Sequence, residues 1–192
     1  MKSNKRFFPR FEHFLIEYCA PTLAGLKTGN LFSFPKQSHA EWKYEYLFWK
    51  KQLRPLGVRF SVLKEDEKRA LVYVFRSTLL GKDLNNGFAA GLLTKYGYGS
   101  LEPRKALCLL KRRLAESEDF PHEIGLFLGY PPEDVAGFIR HCGKNCKCSG
   151  CWKVYGNREE AELRFARYKK CSEVYRRLWN EGRTVLQLTA AV

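Results

Sequence analysis

The chain has 192 residues, 45% of them hydrophobic and 15% aromatic, which is enough to bury a real core and too apolar for intrinsic disorder. Lysine and arginine number 34 against 20 acidic residues, and the formal charge of +14 favours polyanionic partners (nucleic acid, anionic cofactors or acidic protein faces) without choosing among them. No stretch approaches the roughly 18 uninterrupted apolar residues of a membrane helix, and Glu12, His13 and Glu17 interrupt the segment after the basic start before a signal-peptide core forms. A cytoplasmic protein folded as one domain over 1–192, without membrane insertion, is the expectation.

In chain order, Phe11, Phe14, Leu15 and Tyr18 recur at helical spacing, and Pro21 is expected to stop that helix with Cys19 at or near its C-terminal end. CAPTLAGLKTGNLFSFPKQ then reads as a loop. Ser38 and Glu41 form a capping box for a helix with an inner stripe of Trp42, Tyr46, Trp49 and Leu53, ending near Pro55-Leu56-Gly57. The period switches to two at Val58, Phe60 and Val62. After the polar turn KEDEKR, the almost wholly apolar run Ala70 to Phe75 predicts the second arm of a hairpin and a central strand covered on both faces. Asp83 suits the cap of a helix carrying Leu84, Phe88 and Leu92 and closed by Gly97, and Ser100 opens another through Leu107, Leu110 and Leu114.

FPHEIGLFLGYPPEDVAGFIRHCG reads as two short helices, with Pro121 in the first turn of one, Gly129 at its end and Pro131-Pro132 opening the next. Trp152 to Tyr155 is a short third strand. Asn157 and Glu160 cap a long final helix that carries Ala161, Phe165, Tyr168, Cys171, Tyr175 and Leu178 on one face, with Gly182 beyond its end. The fold class is α+β: a small, mainly antiparallel sheet (a hairpin over about 58–76 and a short strand over about 152–155) packed by several helices.

Four of the seven cysteines, Cys142, Cys146, Cys148 and Cys151, fall within ten positions in CGKNCKCSGCWKVYG. Thiolates are ligands for zinc or iron, so these four are the candidate metal set, with zinc, iron or an iron–sulfur cluster as the candidate cofactor. The spacing is not a standard one: only Cys148 and Cys151 form a C-x2-C pair, and neither ferredoxin pattern is present. Flanking Lys144, Lys147 and Lys153 would favour thiolate, which serves metal and redox chemistry equally. Inert thiols are the competing reading.

The segments FPHEIGLFLGYPPEDVAGFI, GKN, GCWKVYGN and YKKC, with CAPTLAGLKTGNLFSF near the start, resemble an uncharacterised protein family widespread in anaerobic Gram-positive bacteria. The resemblance spans nearly the whole chain. It implies no established activity. Family genes that often lie near flavodoxin and ferrous-iron transport genes imply a link to iron or redox physiology, and hence a redox or iron-handling protein partner.

Three classes of function stand beside one another. The first is an accessory factor in iron, metal or redox physiology acting through the thiol-rich loop. The second is binding of nucleic acid or another polyanion by the basic surface, for which EWKYEYLFWKK offers interleaved aromatics and lysines; on a helix, though, Trp42, Tyr46 and Trp49 share one face and suit a core. The third is an enzyme with Cys19 as nucleophile, His122 as base and Glu123 as orienting acid, although a helix C-terminus is the wrong end for lowering a thiol's pKa. Lys27, Asn30, Lys144, Asn145 and Lys153, in Gly-bearing or strand-edge positions, are candidates for holding a phosphate or carboxylate; no Walker or G-x-G-x-x-G frame is present. Cys108 and Cys171 are expected in the core.

Overall fold

A computed structural model describes residues 10–36, 38–116 and 120–191; Lys2, Lys5 and Arg6 of the basic start lie outside them. The fold is α+β and is organised on a three-stranded antiparallel sheet of order β1-β3-β2. The expected hairpin is β2 (Val58–Glu65) and β3 (Arg69–Arg76), with a register shift at Val62/Lys64. Its partner on the other side, β1 (Gly29–Pro35), occupies what the sequence presents as a loop, and pairs with β3 from Gly29↔Phe75 to Pro35↔Arg69. The signal was there: Phe32 and Phe34 are buried and Ser33 between them is exposed, the alternation of a half-buried strand. With β1 in place β3 is central, as its apolar run requires.

The two faces of the sheet carry separate cores. One buries Phe32, Phe34, Phe60, Val72 and Val74 against α1 (Phe11–Leu23) and α2 (His39–Leu53). Here the expected stop at Pro21 is corrected, because α1 continues through it for two more residues. A proline so near the end removes only one intrahelical donor, and its own carbonyl accepts from Leu26 and Lys27 N–H at 2.9 and 3.2 Å, closing the helix. Cys19 therefore lies one turn before the end of the helix, near its C-terminus as expected.

The other face buries Leu63, Tyr73 and Phe75 against α3 (Ser77–Leu84), α4 (Gly87–Lys95), α5 (Pro103–Glu116), α6 (Ile124–Phe127) and α7 (Pro132–His141). Asn86, not Asp83, caps α4, accepting from Phe88 and Ala89 N–H; Asp83 instead accepts from Thr28 Oγ1 across the fold. Glu102 rather than Ser100 accepts from the first N–H groups of α5, at Arg104 and Lys105. Cys108 is not a core residue: Leu107, Leu110 and Leu114 make the buried stripe, and one step along the helix turns residue 108 outward to solvent. Cys171 is half-buried.

The expected third strand does not join this sheet. Lys153–Val154 (β5) pairs with Cys148–Ser149 (β4) as a separate antiparallel hairpin, so the cysteine loop supplies its own strand partner. Asn157 caps α8 (Arg158–Asn180) by accepting from Glu160 N–H, as anticipated, and a further capped turn, α9 (Val185–Leu188), follows with Thr184 and Gln187 as a capping box. Among the described residues no helix is long and apolar enough to cross a membrane.

Candidate functional site

The hairpin β4–β5 is held onto α7 by one buried carboxylate. Asp134, in the first turn of α7, accepts from Trp152 Nε1 through Oδ2 and from the backbone N–H groups of Tyr155 and Gly156 through Oδ1, all at 2.7 Å. Close approach also depends on two glycines: a Cβ at Gly137 would run into Tyr155, and one at Gly150 into the Phe165 ring. Trp152 is then clamped between Tyr130, stacked at 5.0 Å, and Phe165, edge-on at 4.5 Å. The sequence points to this region through its cysteines and GKN; Asp134, Tyr130 and Trp152, which build it, are recognisable as a group only once α7 and the hairpin are brought together.

Between α6, α7 and the hairpin lies a cavity of about 410 Å³. Its walls are mostly aromatic and aliphatic: Phe120, Ile124, Leu128, Tyr130, Val135, Phe138 and Trp152. His122, Asp134, Ser149 and Lys153 add polar groups. His122 meets the Phe138 ring at 4.9 Å, and Lys153 Nζ donates to Gly143 O at 2.6 Å while lying 5.9 Å from the Phe138 centroid. Two residues that the sequence suggests for different roles, His122 and Lys153, thus meet at one cavity.

The other candidates are distributed elsewhere. Cys19 has no accessible surface and lies in the α1 core, where burial pushes its thiol far up despite nearby Lys27; His122 is exposed and lines the cavity, which Cys19 does not, so the two are not brought together there as nucleophile and base. Glu123 is turned inward, accepting from Arg113 Nε at 2.6 Å and Tyr98 OH at 3.2 Å. Asn30 accepts from Thr22 Oγ1 at 2.8 Å. Lys144 and Asn145 are exposed in the loop, where the Lys144 carbonyl accepts from Tyr155 OH and Asn145 adopts φ 58°.

The four loop cysteines have different neighbours. Cys142 and Cys146 are felt electrostatically by Tyr155, Cys148 by Arg158, and Cys151 by Lys27, Tyr130 and Tyr168. Among the described residues no group of three or more His, Cys, Asp or Glu side chains is placed to share one ion. Of the flanking lysines, Lys147 donates to Gly156 O and Lys153 to Gly143 O, both at 2.6 Å. The cation facing Cys151 is instead Lys27, brought from the far end of the chain; packing raises the Cys151 thiol and Lys27 offsets part of that rise.

Lys27 is itself unusual. It is 6% exposed, lies 5.2 Å from the Tyr130 centroid and makes no ion pair among the described residues. Burial lowers its pKa to about 8, with Cys151 and Cys19 acting the other way. Because the unfolded chain holds this proton up to its ordinary pKa, the cost of burying the charge is fully present below about pH 8 and is relieved as pH rises toward the unfolded value. Lys27→Met is therefore expected to be more stable than wild type by about 3 kcal/mol at pH 7, with the gain disappearing at alkaline pH. Urea titrations of both proteins at pH 7 and 10 measure this, and a gain independent of pH would contradict it.

The fold and cavity define a helix-rich α+β protein with an aromatic pocket under a thiol-bearing hairpin. Residues 15–189 match the family described as a protein of unknown function (DUF3793), and the chain belongs to that family. No curated protein and no solved structure matches the chain.

Proposed function

We propose that this protein binds a small, flat, largely apolar ligand carrying an acidic group, in the cavity beneath the cysteine hairpin. The observation that carries the reading is the cavity itself: it is of ligand size, its walls are mostly aromatic and aliphatic, His122 from the turn before α6 and Lys153 from the hairpin bring donors to it, and the Asp134 carboxylate in its wall is already engaged by three N–H groups. Tyr130, Phe138 and Trp152 provide ring faces for stacking, and His122 and Lys153 provide donors for an anionic substituent. Cys148 and Cys151 bracket the wall residues Ser149 and Gly150, so a role in redox or metal physiology would act by altering the shape of this cavity.

Anilinonaphthalene sulfonate, two aromatic groups with one acidic group, is a suitable probe. Saturable binding at one site is expected, with quenching of tryptophan emission. Ser149→Trp, at an exposed wall position, should fill the cavity and weaken binding at least about tenfold without unfolding the protein. Equal binding by wild type and a folded Ser149→Trp variant would sink the reading.

A further inference from the structure

A cluster of cationic side chains lies away from the hairpin, along the outer edge of β2. There α2 covers one face of the sheet and α5 the other, and between them opens a groove of about 730 Å³. Five cationic side chains line it: Lys50 and Arg54 from the end of α2, Arg59 from β2, and Arg104 and Lys111 from α5. None of the five makes an ion pair among the described residues. The single carboxylate in the groove, Glu102, is occupied in capping α5 through the N–H groups of Arg104 and Lys105. We propose that this groove binds a small organic polyphosphate.

Size, charge and lining each narrow the ligand. Five cations against the one carboxylate of Glu102 leave an excess of like charge that repels itself, and burial together with Lys50 lowers the pKa of Lys111 although Cys108 acts the other way. A bound anion relieves that repulsion, and linked phosphates bring several negative charges into a space where separate ions would have to be confined one by one. Arginine forks match phosphate oxygens in pairs, and the three arginines come from the end of α2, from β2 and from α5, so they can grip a ligand from different sides. On the α5 side of the groove, Phe75 and Leu107 form an apolar wall, a surface for the organic part. The volume is that of a small-molecule site, and a duplex about 20 Å across could touch only its rim.

The test uses ATP and inorganic triphosphate as probes, by calorimetric titration of the full chain. Saturable one-site binding is expected, weakened at least about tenfold by Arg59→Gln/Lys111→Gln and by Lys50→Gln/Arg54→Gln, and less than about twofold by Lys169→Gln/Lys170→Gln on α8, which removes the same charge elsewhere. The Lys50 and Arg54 pair is exposed and decides the matter should the half-buried pair fail to fold. Cys108, exposed in the groove wall, is an independent reporter: ATP should slow its alkylation severalfold and leave Cys142 unaffected. Absence of saturable binding, binding without protection of Cys108, or equal weakening by all three pairs would overturn the proposal. So would tight binding of a single-stranded RNA oligonucleotide, reduced equally by every pair, with none of ATP.

Discussion

Replacing Arg76 by alanine is expected to cost about 3–5 kcal/mol of stability, read by urea titration. Arg76 ends the central strand β3, and its side chain is 1% exposed. Among the described residues it makes no ion pair and is held by carbonyls, with Nε donating to Thr22 O at 2.9 Å, Nη1 to Leu56 O at 2.6 Å, and Nη2 to Ala190 O at 2.8 Å and to Leu23 O. Thr22 and Leu23 lie in the last turn of α1, where unpaired carbonyls form the negative end of the helix dipole, so the guanidinium acts as a C-cap from another element. It also ties the α2–β2 connection and the segment after α9 to the sheet. Truncation would strip the Leu56 and Ala190 carbonyls of the guanidinium, leave Thr22 O with the Gly25 N–H and Leu23 O with the Ala190 N–H alone, and open a cavity. Lysine keeps the charge but presents its donors from one point, so Arg76→Lys should recover less than half of the loss. An alanine variant of wild-type stability would mean that water replaces the fork at no cost.

The second large effect is expected at Asp134. Asp134→Asn retains an oxygen for the Tyr155 and Gly156 N–H groups but turns an amide N–H₂ toward the indole N–H of Trp152, setting donor against donor in a buried place. A loss of about 2–4 kcal/mol is expected. Because the carboxylate pins the hairpin to α7, the damage should be local: Trp152 should leave its place between Tyr130 and Phe165, the cavity should lose its shape, and probe binding should fall with it. Hydrogen exchange would then rise in the hairpin and the first turn of α7 before it rises in the three-stranded sheet. Uniform loss of protection, or probe binding equal to wild type, would contradict this account.

Much of the architecture is legible in the residues. The period-two runs at 58–62 and 70–75, the stripe Trp42, Tyr46 and Leu53, and the Asn157 cap each correspond to the element they predict, because local spacing and capping chemistry act within one or two turns of chain. The errors share a cause. β1 was hidden in a Gly-bearing stretch and is stabilised by pairing with β3 and by burying Phe32 and Phe34 against α1, and α1 passes through Pro21 because the core holds its last turn. In both, tertiary contact outweighs local preference.

The candidate site divides in the same way. Composition and spacing by themselves determined the α+β class, the basic surface and the thiol-rich loop, and the family follows from motifs spread along the chain. Only the tertiary structure decided which of those groups meet. It turned Glu123 inward to Arg113, buried Cys19 away from His122, brought Lys27 to Cys151, and gathered Arg59 from a strand with Lys111 and Lys50 from two helices. The reason is physical: a side chain's chemistry is carried by its residue type, but its partners and its contact with water are set by segments far apart in sequence, packed on opposite faces of one small sheet.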